Sequence, residues 1–479
     1  MKKLRLLLLA AFILSVCSCG NPETDTLTPD VTETTDESVS SAESELFTLP
    51  KENNNGEKIN ILLGSHVEYE FMVEEATGET VDDAVYDRNR KVEEHLGIEL
   101  GFESRPNFGG SDVDTWKNTI SQSVLAGDDS YQIIDGINVW TAQLIPSGVF
   151  MNLYDISTIE LDNPWWVSGF PLRDGKVYYA FNDAAFSLYK DIYVMFFNAE
   201  LVNNYKLQNP YELALDGKWT LDNFIGMTKD TTADLNGDGE IDWENDQIAY
   251  LYKHAANRSF LSSTECSIIK HEDGKYVLSE LTERLVNAYD KMKAFLYDND
   301  AVYCSMEADY ITLSQPFIDG RSLFLVNCLC AVEGMRDMSD DFGILPMPKY
   351  DESQESYHSQ IATSTSAFYI PVSVGNPELV GKVCEALGYY SMVDVIPRYY
   401  EVALKDKYTR DENVGEILDI IRESASTSFE FAYSTLFNNI WPNDIFNSAI
   451  NNQDIASLYA SNESSWRLTI ENLMSLELP

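Results

Sequence analysis

The chain has 479 residues, 44% hydrophobic and 12% aromatic, with 78 acidic against 33 basic residues and a formal charge of −45 at pH 7. That imbalance excludes nucleic acid as a partner and argues against adhesion to an anionic membrane surface; it also disfavours acidic ligands outside a local basic pocket. The composition is that of a globular protein too long for one ordinary core, so two lobes are expected.

Lys2, Lys3 and Arg5 precede an apolar run from Leu6 to Leu14. The run is too short to span a bilayer and suits the core of a signal peptide, here residues 1–19. In Val16-Cys17-Ser18-Cys19 a small residue stands directly before Cys19, as in bacterial lipoprotein signals, whereas Val16-Cys17 breaks that pattern. Export is therefore expected, with a lipid anchor at Cys19 on the extracellular face of the cell membrane. Residues 20–56 are rich in Thr, Ser, Glu and Asp with little to bury, and read as a disordered tether. The cysteines beyond the signal, Cys266, Cys304, Cys328, Cys330 and Cys384, are odd in number and lack metal spacing, so they read as small core residues rather than a disulfide framework. Cys328 and Cys330 are expected to share one face of a strand.

From Lys58 the pattern is β-α-β. Ile59 to Leu63 is a strand apolar at all but one position, as a strand covered on both faces should be, and Gly64-Ser65-His66 forms the loop after it. Thr80 opens a helix to about Leu96 with Val81, Val85, Val92 and Leu96 at near-helical spacing. Ile98 starts the next strand, Val113 to Leu125 is a second helix, and Gln132 to Ile137 a third strand leading into Asn138-Val139-Trp140. Alternating strands and helices imply an α/β fold with a mostly parallel sheet, whose ligands sit beyond the strands' carboxyl ends. Val177 to Asn198 reads as a long β-rich segment, and Trp219 to Met227 as a helix opened by Thr220.

Next comes Asp234-Leu235-Asn236-Gly237-Asp238-Gly239-Glu240-Ile241-Asp242. Oxygens at the first, third and fifth positions, Gly239 at the sixth and Ile241 at the eighth match the start of an EF-hand-type Ca²⁺ loop, in which the seventh residue, here Glu240, contributes its backbone carbonyl. Position twelve is Asn245 rather than a bidentate Glu, so Asp242, Glu244 or Asp246 must help close the shell. Further on, the pattern predicts helices over Ser279 to Leu296 and Gln315 to Asp319 and a strand from Leu323 to Asn327. A Pro-rich turn ends the strand within Asp340 to Lys349, Ala367 to Val372 is another strand, and a helix runs from Asn376-Pro377 to about Tyr390 ahead of a helical C-terminal part.

VDDAVYDRNRKVEEHLGIEL, GKWTLDNF ahead of DLNGDGEID, DDFGILPMPKYDESQ and GNPELVGKVCEALGYY, in that order behind a lipoprotein signal, resemble bacterial extracellular solute-binding proteins of family 1. These are the carbohydrate-type lipoproteins of ABC importers. The resemblance implies a two-lobed, periplasmic-binding-protein-like fold with hinge crossovers and a ligand clamped between the lobes. It places lobe one at about 57–188 and 367–425, and lobe two at about 189–366 and 426–479. The implied partners are a mono- or oligosaccharide and an ABC permease, the protein itself is expected to be a monomer, and some relatives carry a structural Ca²⁺ loop of this kind.

Sugars present an apolar face and a rim of hydroxyls, which proteins meet with aromatic platforms and polar side chains. Trp140 follows a strand where such a sheet binds ligand, and Trp441 matches the position where relatives place a stacking Trp. Trp165, Trp166 and Tyr189 are further aromatic candidates, and Ser65, His66, Asp135, Glu333 and Arg336 are polar ones. Trp219 reads as the apolar staple of its helix and Trp243 as pinned beside the calcium loop. Relatives often carry an aromatic just after the Leu323 to Asn327 strand, where this chain has Leu329 and Cys330. A glycosidase would need two placed carboxylates, which cannot be singled out among so many; no G-x-S-x-G elbow or H-E-x-x-H occurs, and the five His lack metal spacing. A binder without chemistry of its own is the expectation; a peptide-binding or sensory lipoprotein is the alternative, with a secreted glycosidase behind it.

Overall fold

The computed structural model describes residues 47–168, 171–172, 175–305, 310–336, 338–400, 414–437 and 442–476. The signal, Cys19 and most of the tether lie outside them. The described residues from 53 onward form one compact unit.

The first part of the chain lays down β1 (Glu57–Gly64), α1 (Thr80–Leu96), β2 (Ile98–Arg105), α2 (Gly110–Ala126), β3 (Ile133–Ile137), β4 (Trp166–Ser168) and β5 (Ala180–Asn182). Ile59, Ile61, Leu62 and Leu63 are all buried, so β1 is covered on both faces, as its near-continuous apolar run requires. β1 pairs in parallel with β2 and β3. α1 buries Val85, Val92 and Leu96 and stops at Gly97, whose left-handed φ of 62° ends the helix.

The middle of the chain builds a second sheet from β6 (Tyr193–Asn198), β7 (Ile248–Lys253), β8 (Val302–Ser305), β9 (Ser322–Cys328) and β10 (Phe342–Leu345), with α3 (Leu221–Met227) and α4 (Glu283–Leu296) between. Its order is β8-β7-β9-β6-β10, parallel between β7 and its neighbours and antiparallel on both sides of β6. The chain then returns through β11 (Ser366–Tyr369), which pairs antiparallel with β3 and β5 and completes a six-stranded sheet of order β2-β1-β3-β11-β5-β4. α5 (Pro377–Tyr390) packs on α1, α6 (Val414–Ser424) packs against β10, and α7 (Ile455–Ser475) ends the described chain.

Two segments cross between the sheets and are bonded to each other. Ile192 bridges Ile361 antiparallel, and the N–H of Ala362 donates to the Asp191 carbonyl at 2.8 Å. A third segment joins them, Ala425–Ser426 pairing with Ser359–Gln360.

Three local expectations need correction. The stretch 177–198 is not continuously β: Asn182 starts a turn, and Ser187–Lys190 is a helical turn between β5 and β6. β9 ends at Cys328, and Cys330 lies in the 3-10 turn Leu329–Met335, so the two thiols do not share a strand face. The C-terminal part includes 3-10 turns and the short Ala425–Ser426 strand beside its helices.

Aromatic residues make much of the core beside the second sheet. Phe224 meets Trp219, Tyr250, Phe295 and Phe324 at centroid distances between 5.0 and 6.1 Å. All five described cysteines are unpaired thiols, with Cys266, Cys328 and Cys384 buried. Among the described residues, no helix is long and apolar enough to cross a membrane.

Candidate ligand-binding site

At the carboxyl end of β1, Ser65 is exposed and opens the 3-10 turn Ser65–Glu70, with His66 half-buried behind it. Asn107, from the loop after β2, is wedged against this turn. A Cβ on Gly64 would sit 2.2 Å from the Asn107 amide nitrogen, so only glycine admits that contact. His66 lies beside the Asn107 side chain and the Ser364 backbone, and burial lowers its pKa, which keeps the imidazole neutral near pH 7. Among the described residues neither the ring nitrogens of His66 nor the Asn107 carboxamide makes a hydrogen bond of good geometry. His66 and the buried Asn107 thus sit against each other at a strand end, held only by weak polar contacts.

β3 runs directly into the helical turn Asn138–Thr141, which carries Trp140, half-buried. The turn is held by the Tyr369 hydroxyl, which donates to the Asn138 side-chain oxygen at 2.6 Å, and by the Thr435 hydroxyl, which donates to the Val139 carbonyl.

On the first crossover, the Lys190 ammonium lies 4.6 Å from the Tyr69 ring centroid and 5.8 Å from that of Tyr399, and 3.1 Å from Glu333. Glu333 is exposed in the turn after β9, so this cation joins a residue following β1 to one following β9. Next to it, the Ser364 and Thr365 hydroxyls donate to Asp191, whose carboxyl burial pushes up to about 6. Arg336 is exposed just past the same turn as Glu333. Sequence reasoning missed Tyr69, Lys190, Asp191 and Asn107; the one available signal was the aromatic-acidic run Glu68-Tyr69-Glu70-Phe71 directly after the predicted loop.

Beyond β7, His254 and Arg258 face the turn Pro442–Asn451. Arg258 is ion-paired with Asp444, and the carboxamides of Asn257 and Asn443, both fully buried, make no hydrogen bond of good geometry among the described residues. Burial lowers the His254 pKa, with Asp444 opposing the shift and Arg258 adding to it. Sequence reasoning did not foresee this cluster; it reached this segment only through Trp441, which lies outside the described residues.

Other predicted residues are placed away from a ligand surface. Trp165 and Trp166 are 1% and 4% exposed, and their indole N–H groups donate to the two oxygens of Glu385 at 2.9 and 2.8 Å. Both rings are therefore packed on one buried carboxylate rather than offered as platforms. Tyr189 is buried, its hydroxyl donating to Asp183 at 2.6 Å and its ring covered by the Arg422 guanidinium at 5.6 Å. Asp135 is wholly buried within β3, between Leu63 and Phe368 in register. Leu329 is also buried, its N–H on the Ile192 carbonyl. A cavity of about 180 Å³ is lined by Leu261, Ser262, Glu265, His358 and Ser428 among others, and none of the predicted residues borders it.

In the acidic loop, Asp234, Asn236, Asp238 and Glu240 are exposed and Asp242 is half-buried. Gly237 and Gly239, at φ of 78° and 87°, donate their N–H groups to the two Asp234 oxygens at 2.6 and 2.9 Å. Asp246 is buried and closes the loop, accepting from the N–H of Leu235 at 2.9 Å and of Asp242 at 3.0 Å. Trp243 stacks on Tyr303 at 4.5 Å, and Arg321 donates to the Trp243 and Asp246 carbonyls. The all-oxygen donor set suits a hard cation such as Ca²⁺. As placed, though, no three acidic, His or Cys side chains among the described residues are grouped to hold a metal ion, since several carboxylates face the loop's own N–H groups.

No protein-family model matches the chain, and no curated protein does. Among solved structures it superposes on the GacH receptor of Streptomyces glaucescens GLA.O with a TM-score of 0.53 at 11% identity, over 87% of this chain and 99% of that one. The fold is that of a two-lobed, periplasmic-binding-protein-like protein. GacH was solved unliganded and in complex with acarbose and an acarbose homolog, and compared with acarbose-loaded maltose binding protein of Salmonella typhimurium. At this identity the likeness speaks for the fold alone.

Proposed function

We propose that this protein is a saccharide-binding receptor of the family 1 solute-binding type, anchored by a lipid at Cys19 and delivering its ligand to an ABC permease. One observation carries the reading. The exposed Ser65 and the half-buried His66 and Trp140 stand at the carboxyl ends of β1 and β3, in a fold shared with a receptor seen with acarbose. Trp140 supplies an aromatic face, and Ser65 and His66 supply hydroxyl-reading groups, with Asn107 packed behind them, which suits a sugar better than a peptide with charged termini. Lys190 and Glu333 stand at the crossover about which the lobes would close. A neutral His66 and groups fixed by hydrogen bonds serve binding, and no nucleophile with an adjacent base is part of this reading. The acidic loop is proposed to hold a structural Ca²⁺ through Asp234, Asn236, Asp238, Glu240 and Asp242, with Asp246 as its internal brace.

Titrating a panel of mono- and oligosaccharides against intrinsic tryptophan fluorescence tests the reading. A saturable response to at least one saccharide is expected; responses to peptides alone would replace the saccharide by the peptide reading.

A further inference from the structure

Three charged side chains, Glu70, Arg88 and Asp135, are wholly buried where the crossovers leave and rejoin the six-stranded sheet. Each comes from a different element. Glu70 ends the turn that carries Ser65 and His66, Arg88 lies on α1, and Asp135 lies on β3. Glu70 touches both main crossovers: one oxygen accepts from the Ser187 N–H on the outgoing segment, the other from the Ser366 hydroxyl at 3.5 Å on the returning one. Arg88 ties the same parts together, donating to the Glu70 carbonyl at 2.6 Å and to the Ala184 carbonyl and Ser391 hydroxyl at 3.1 Å each. Neither Asp135 oxygen makes a hydrogen bond of good geometry among the described residues.

Two ionised carboxyls beside one guanidinium leave a net negative charge with no access to water, which is strongly disfavoured. Holding one proton on the pair removes that charge, as buried groups of like charge that feel one another do. Burial raises both groups; the Asp135 charge raises Glu70 further against the hydrogen bonds from Ser187, whereas the Ser366 hydroxyl and Arg88 oppose the rise at Asp135, which is pushed up to about 7, with Glu70 well above its ordinary range. The other titratable groups facing the pair are Asp191 on the crossover, Tyr369 on β11 and Tyr69 on the Glu70 turn itself.

We propose that Glu70 and Asp135 share one proton and act as positioning residues, clamping the loop that carries Ser65 and His66 to both crossover segments. Removing that proton sets two like charges against each other beneath the loop. The clamp then loosens, and the ligand-bearing turn loses its fixed seat relative to the hinge. Because both folded-state values are raised, the folded protein binds more protons than the unfolded chain. The contribution is complete below the ordinary carboxylate range, near pH 4, and is lost as pH rises through about 7 and, for Glu70, beyond.

The ligand readout rests on the saccharide reading; a melting readout does not. With maltotriose and acarbose as calorimetric probes, wild-type affinity should fall about tenfold between pH 6 and 9, while Asp135→Asn and Glu70→Gln, which keep size and hydrogen bonding, should stay within about twofold. A flat wild-type profile, or variant profiles parallel to it, would overturn the clamp. If the wild type binds no saccharide, the saccharide reading fails and the ligand-free melt decides. A midpoint that falls more steeply with pH in the wild type than in Asp135→Asn supports the clamp, and equal slopes overturn it.

Discussion

Glu385 offers the sharpest test of how this chain uses its tryptophans. Its carboxylate, on α5, accepts from Trp165 at 2.9 Å, Trp166 at 2.8 Å, Asn163 at 2.8 Å and the Glu160 N–H at 2.9 Å. Glu385→Ala removes four charge-assisted bonds at once. Glu160 is exposed and Asn163 half-buried, so both can turn to water, but the two indole N–H groups are left buried and unsatisfied. Stranding a buried donor costs about 1–3 kcal/mol, so about 2–6 kcal/mol for the pair. Part of this is offset because a carboxyl whose pKa burial raises is also removed. A net loss of about 3 kcal/mol is expected in urea unfolding, with about half of it for Glu385→Gln, which keeps one acceptor but turns an amide N–H toward an indole. A change below about 0.5 kcal/mol for Glu385→Ala would refute the reasoning. The same geometry predicts that Trp165→Phe and Trp166→Phe lower stability yet leave saccharide affinity within about twofold.

Other outcomes follow from the placements above. Trp140→Ala should weaken saccharide binding by about tenfold with little change in melting midpoint, read by calorimetry; unchanged affinity would remove Trp140 from the site. In the acidic loop, Asp238→Ala should abolish the part of the melting midpoint that a chelator removes and cost little more, its own loop bonds being exposed, whereas Asp246→Ala should lower the midpoint with or without calcium, because it brings down the buried bonds that close the loop. Lys190→Met should weaken ligand binding several-fold by uncoupling Tyr69 from Glu333, a loss that high salt should reproduce only in part. Cys19→Ala should move the protein from the membrane fraction to the soluble one; continued membrane retention would end the lipid-anchor reading.

The strongest sequence signals were local ones. The apolar run at Ile59 to Leu63, the helical spacing of Val85, Val92 and Leu96, and the caps at Thr220 and Asn376 identify elements because they depend only on near neighbours. Parallel strands joined by helices then place ligand groups at strand ends, which is how Ser65, His66 and Trp140 were reached. The acidic loop was legible for the same reason, its turn being written in consecutive residues. What the sequence could not decide is which side chains meet across long separations. Trp165 and Trp166 read as aromatic candidates for the ligand until α5 brings Glu385 against both indoles. Asp135 reads as a polar strand residue until Glu70 and Arg88 converge on it. Lys190 and Glu333 come together only because β6 and β9 lie side by side. Composition and periodicity specify what a residue can offer, whereas tertiary packing decides whether that group faces another side chain or remains open to a ligand.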